Sequence, residues 1–181
     1  MSFIVLPVLG LGLLMNMVAS HGVHYYALLT MEDPFMPLPD IIHSLAPKVN
    51  TYVPEYFLWI SIIYALFGYR DQYVDLDENT WTLAKCLIVR SFTVFLTPMP
   101  TCMPEPKKNH ETYYGYFFHS THDLMFSGHT LCFIFLGNIT NTSTISYIGP
   151  SLLVLSHQHY TIDVIVAGLV YSYLLTNQSQ N

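Results

Sequence analysis

The stretch His157-Gln158-His159-Tyr160-Thr161-Ile162-Asp163 places two imidazoles and a carboxylate between apolar runs of a chain with only 10% charged residues. His159 and Asp163 are four apart, so in a helix they share one face, about one turn apart. If His159 instead precedes the helix, Asp163 still reaches it across the first turn. An aspartate so placed holds an imidazole in one tautomer and stabilises its cationic form. A second histidine, His129, lies 30 residues upstream in Phe126-Ser127-Gly128-His129-Thr130. Arg90 sits inside the apolar run CLIVRSFTVFL, and a fixed guanidinium suits phosphate oxygens. Two His, one Asp and one Arg are the parts of a phosphoryl-transfer set: nucleophile, general acid, orienting group and anion clamp. That set calls for no metal and no cofactor.

Each residue also has a plainer reading. A single histidine in an apolar run is more often a satisfied core residue, and Arg90 alone could snorkel to an interface. Asp163 is harder to dismiss, because an unpaired carboxylate in apolar surroundings is costly. His119, His122, Asp123, His157 and His159 are zinc-ligand types, but their spacings do not form the HExxH pattern. His157 is expected as a solvent-facing loop histidine. Cys86, Cys102 and Cys132 lack metal-type spacing and read as small buried apolar residues.

The elements that must position these residues are apolar blocks. The chain has 181 residues, 52% of them hydrophobic, and a net charge of -6. A soluble domain carries about 25% charged residues, and nucleic-acid binding needs basic patches. Membrane spans need about 20 mostly apolar residues. Six candidate runs cover roughly 3–20 (extending towards 29), 54–70, 81–100, 123–139, 144–160 and 162–176. The first begins without Lys or Arg and reads as a span rather than a cleaved leader. The expectation is one transmembrane domain over 1–181: an all-α integral membrane protein built as a six-transmembrane helix bundle. Alternation then puts the 30–52 loop, the 101–122 loop and the 157–161 turn on one face, with His129 and Asp123 at that end. Buried polar groups at such depth belong where protein or a cavity surrounds them. From His129 the chain descends about 15 Å and returns about 22 Å to His159, a mismatch that tilt or a longer fourth span absorbs.

Four stretches in order resemble the motifs of the sphingomyelin synthase family, a branch of the type 2 lipid-phosphate phosphatase superfamily. Pro37-Leu38-Pro39-Asp40 is similar to PPLPD, with Met36 in place of the first proline. Arg90-Ser91-Phe92-Thr93, followed by Thr97 and Pro100, is similar to the family's Arg-x-x-Thr stretch. Asp123-x-x-x-Ser127-Gly128-His129-Thr130 matches CGDxxxSGHT, with Thr121 and His122 replacing Cys-Gly. His159-Tyr160-Thr161-x-Asp163-Val164 matches HY[ST]xDV, while Gly168 stands where the family prefers an aromatic residue. The resemblance covers about 37–170. It implies a six-span enzyme that moves phosphocholine from phosphatidylcholine to ceramide. It also implies His159 as nucleophile, Asp163 as its orienting partner and His129 as acid and then base. Asp123, Ser127 and Tyr160 join Arg90 as expected contacts to phosphate or headgroup. Arg90 is assigned there from its position.

The phosphatase branch carries KxxxxxxRP, PSGH and SRxxxxxHxxxD. Here Phe126 replaces the PSGH proline, Leu153 stands where the Arg six before the histidine belongs, and Lys85 and Arg90 are wrongly spaced. One Arg suits a singly charged phosphodiester better than a monoester. Lipid phosphatase or phosphodiesterase activity is the alternative, followed by a non-catalytic lipid-binding membrane protein. The expected partners are a phospholipid donor, ceramide- or diacylglycerol-type lipids and the bilayer. Lys48, Lys107 and Lys108 against Arg70 favour a cytoplasmic reactive face by the positive-inside rule, whereas the resemblance implies a lumenal or exoplasmic one.

Overall fold

A computed structural model describes residues 4–30, 37–68, 75–102 and 125–178. Among them every regular element is a helix: α1 Val5–Thr30, α2 Ile41–Leu45, α3 Val53–Gly68, α4 Leu76–Leu96, α5 Gly128–Ile139, α6 Ser143–Leu155 and α7 Thr161–Gln178. The six long helices fall on the six apolar runs, and their ends follow local chemistry. Residues 76–80 read as acidic loop in the sequence, yet they form the first turn of α4. Asp77 and Glu78 lie there, where carboxylates favour the positive helix end. Asn79 is buried there and its side chain accepts from the Tyr171 hydroxyl at 3.0 Å and from Asn138 at 3.3 Å. Residues 125–127 of the fourth run are not helical, and α5 starts at Gly128, where Ser127 caps it by accepting from Thr130 N at 3.1 Å. The five-residue α2 has no periodic run to announce it. Asp40 caps it through Ile42 N at 2.9 Å and His43 N at 3.4 Å.

Two tight turns set the positions of α5, α6 and α7. After α5, Thr142 N donates to Gly137 O at 2.7 Å and Asn141 N to Asn138 O at 3.1 Å, with Asn141 at φ 49. After α6, Gln158 N donates to Leu153 O at 3.1 Å and His157 N to Val154 O at 2.9 Å, with His157 at φ 59. Both are Schellman caps with a left-handed residue just past the helix. The second ends α6 at Leu155, where the sequence expectation ran to 160, and leaves His159 in the link before α7.

Helices α1 and α4 pack most extensively, and they run parallel: Gly12 meets Ala84 and Leu87, Asn16 bonds Leu87 O, and Gly22 meets Phe95. Leu83, Leu87, Phe126, Leu131, Ala167 and Tyr171 form a core between α4, α5 and α7. Phe133, Leu136, Ile145 and Leu153 form a second core with Ala65 of α3. Large apolar side chains remain exposed on outer faces, among them Leu11 and Leu14, Trp59 and Ile63, Phe92 and Phe95, Leu169 and Tyr173. Among the described residues one helix, near the N-terminus over Val5–Ala27, is long and apolar enough to cross a membrane by length and composition; Val53–Phe67, Gly128–Ile139 and Ser143–Leu155 are shorter apolar helices.

Close helix approach rests on two glycines. A Cβ on Gly137 would lie 2.0 Å from Ser146 Oγ and 3.0 Å from its backbone N, and one on Gly149 would lie 2.3 Å from two Phe133 ring carbons. Alanine in place of a mid-helix glycine ordinarily stabilises by up to about 1 kcal/mol. At these two sites overpacking reverses the sign, and Gly137→Ala and Gly149→Ala each cost about 1–3 kcal/mol. Gly10→Ala, with nothing within 4 Å of the added carbon, is neutral or stabilising. Thermal unfolding of the three variants in detergent micelles checks the contrast.

Candidate active site

Three connections meet at one end of the helices. Val49 N donates to Leu155 O at 2.9 Å, and Gln158 Nε2 to Thr51 O at 2.6 Å. The Tyr160 hydroxyl accepts from Leu38 N at 2.8 Å and lies 3.2 Å from the carbonyls of both Pro100 and Thr101. One phenol thus ties the first loop, the segment after α4 and the start of α7. Burial pushes that phenol well above its ordinary pKa, so it stays a neutral hydrogen-bonding group. Tyr160, expected at the headgroup, is 2% exposed and its hydroxyl serves these backbone groups.

Within this end, His129 is the second residue of α5 and His159 lies two residues before α7. Their rings are 6.2 Å apart, centroid to centroid, and tilted by 60°. Asp163, in the first turn of α7, is fully buried. Its Oδ2 accepts from Tyr160 N at 2.9 Å, the return half of a capping box. The same oxygen lies 3.4 Å from His159 Nδ1, beyond the about 2.7–3.2 Å of a full N–H···O bond. With Nδ1 turned to the carboxylate, Nε2 is the nitrogen left for chemistry.

Arg90 does not snorkel outward. It is 6% exposed; its Nε donates to Phe126 O at 2.5 Å and its Nη1 to Asn16 Oδ1. Asn16 in turn donates to Leu87 O at 2.7 Å and to Gly12 O at 3.2 Å. A Cβ on Gly128 would lie 3.3 Å from Arg90 Nε, so this glycine lets the guanidinium lie against the first turn of α5. Ser127 is buried as the α5 cap, and its N donates to Asp163 O at 3.4 Å. The structure therefore brings Arg90, Ser127, His129, His159, Tyr160 and Asp163 to one end. Asp123 lies outside the described residues, as do His119 and His122. Among the described residues no three His, Cys, Asp or Glu side chains group as metal ligands. Cys86 and Cys102 are buried and Cys132 is partly exposed; all three are free thiols.

Sequence reasoning missed Asn16, although a lone amide in LLMNMVAS was the available signal. It also missed a second layer around His159. Asp40 Oδ2 accepts from Thr161 N at 2.7 Å and Oδ1 from the Thr161 hydroxyl at 2.9 Å. His43 Nε2 lies 3.1 Å from His159 O. His157, expected to face solvent, stacks on His43 with centroids 4.1 Å apart and planes 13° from parallel. Comparison with known proteins finds no matching family model and no matching curated protein.

Two groups outside the helices give stability a pH dependence. Burial, with the nearby cationic forms of His43 and Lys48, lowers the His157 pKa below 6.5. The folded chain then binds fewer protons than the unfolded one, so stability falls as pH drops through 6.5. At Asp40 burial raises the pKa, but hydrogen bonds from Thr161 and His43 outweigh it and hold the carboxyl below 3.8. Its contribution is present above 3.8 and is lost as pH falls through the lower folded value. Melting temperature followed from pH 8 to pH 5 should decline below about pH 6.5. His157→Asn keeps a left-handed residue and should flatten that decline.

Proposed function

We propose that the chain is a multi-pass membrane enzyme of six spanning helices that transfers a phospho-headgroup between lipids through a phosphohistidine. The observation that carries this reading is the facing pair His129 and His159, with the buried Asp163 carboxylate 3.4 Å from His159 Nδ1. A buried carboxylate set on one nitrogen of a histidine, with a second histidine ring 6.2 Å away, suits two successive displacements at phosphorus. The exposed apolar faces and the long apolar α1 support a bilayer as the surroundings. The four motifs that resemble sphingomyelin synthases support the substrate class: phosphatidylcholine or a similar glycerophospholipid as donor, and ceramide or another lipid alcohol as acceptor.

In the first displacement the His159 Nε2 lone pair attacks phosphorus. The bond from phosphorus to the diacylglycerol oxygen breaks, and His129 in its cationic form gives that oxygen a proton. In the second, neutral His129 takes the proton of the acceptor hydroxyl. The oxygen attacks phosphorus, the phosphorus–nitrogen bond breaks, and His159 is restored. Asp163 stabilises positive charge on His159 as it becomes the phosphorylated imidazolium. Arg90 and the positive end of α5 offset charge on the phosphoryl oxygens. One arginine suits a diester, with one negative charge, and this favours headgroup transfer over monoester hydrolysis. Residues 157–161 and 125–129 would line the reacting end, and the acyl chains would stay in the bilayer.

Purified protein supplied with phosphatidylcholine and fluorescent ceramide should form a labelled phospholipid. His159→Ala should lower turnover by about 10³-fold or more, and His129→Ala by about 10²–10⁴-fold, each in protein that still unfolds cooperatively. Phosphate release from a lipid monoester without any transfer would favour the phosphatase reading. Lipid binding without turnover for any donor would favour a non-catalytic one.

A further inference from the structure

Asp163 aims the His159 ring, but a ring is placed only as accurately as the backbone that bears it. His159 lies in the link between α6 and α7, outside both helices. Its own N–H reaches Leu153 O at a long 3.4 Å. Its own carbonyl, His159 O, and Thr161 N just beyond Tyr160 need partners when removed from water. Both find them on the α2 segment: His43 Nε2 at 3.1 Å from the first, and Asp40 Oδ2 at 2.7 Å from the second.

That segment is itself fixed. Asp40 spreads its two oxygens over four donors: Ile42 N and His43 N on its own helix, and Thr161 N and Oγ1 on α7. The His43 ring is pinned by its stack on His157. The contacts close a loop through residues 40, 43, 157, 159 and 161. To donate to a carbonyl, His43 must carry its proton on Nε2.

We infer that Asp40 and His43 are positioning residues for His159, gripping the backbone on both sides of Tyr160 while Asp163 orients the ring. Neither side chain is assigned a contact with the reacting atoms. The inference rests on the reading of His159 as nucleophile. Its consequence is that the α2 segment, remote in sequence, sets the turnover number. A misplacement on the order of 1 Å costs about 10²-fold in rate.

The test uses the full chain in detergent, with phosphatidylcholine and fluorescent ceramide. Asp40→Ala and His43→Leu should lower kcat by about tenfold to a hundredfold and leave KM within about twofold. Melting temperature should not track the loss. His43→Gln, which restores a donor towards His159 O, should recover most of it, a recovery that loss of folding would not show. Unchanged kcat in both variants, or His43→Gln as impaired as His43→Leu, overturns the inference. Should Asp40→Ala fail to fold, the His43 pair decides. If the wild-type protein transfers nothing, the proposed function fails, and the positioning role is read from 15N-histidine spectra. In wild type His159 should hold the Nδ1–H tautomer, and in His43→Leu it should become a mixture. An unchanged His159 signal overturns the role whatever the activity.

Discussion

The arrangement depends on one carboxylate without solvent contact. Moving a charge out of water costs several kcal/mol unless partners replace the water. Asp163 accepts from Tyr160 N at 2.9 Å, lies in the first turn of α7, and has His159 Nδ1 at 3.4 Å. The helix end favours the negative charge, and the capping bond fixes its direction. His159 Nδ1 stands next to the same oxygen. The feature that stabilises the start of α7 therefore also sets which histidine nitrogen is turned to the carboxylate. Removing the carboxylate would disturb both the helix end and the tautomer, which makes Asp163→Asn a poor probe of chemistry alone.

Everything else at this end keeps that carboxylate and its histidine in register. The Schellman cap after Leu155 reverses the chain within three residues. The Tyr160 phenol joins three segments, and Asp40 caps α2 while holding Thr161. Arg90 is held through Asn16 to α1 and through Phe126 O to the start of α5. Parallel packing of α1 on α4 thus reaches the guanidinium beside Gly128. Buried polar side chains cluster where three connections meet and again around Asn79 at the start of α4, while the outward helix faces carry Leu, Ile, Phe and Trp.

The parts visible in the sequence were those with a local signature. Six apolar runs gave six long helices, and the spacing of four between His159 and Asp163 gave their contact. Helix ends were less visible, because Ser127 and His157 set them by individual caps rather than by hydropathy. The left-handed turn at His157 has no glycine to mark it, and only the hydrogen bonds of the cap expose it. Partnerships across long separations were not readable. Asn16 and Arg90 are 74 residues apart, and Asp40 and Thr161 are 121 apart. The short α2 left no periodic trace, yet it reaches the backbone on both sides of Tyr160.

The most direct measurement is to trap the covalent species. Protein mixed with headgroup-labelled phosphatidylcholine, without acceptor, is quenched under alkaline conditions that preserve phosphohistidine and digested for mass spectrometry. The account predicts a phospho-headgroup adduct on His159 that disappears when ceramide is added and is absent from His159→Ala. An adduct on another residue, or steady transfer with no adduct at all, would contradict it.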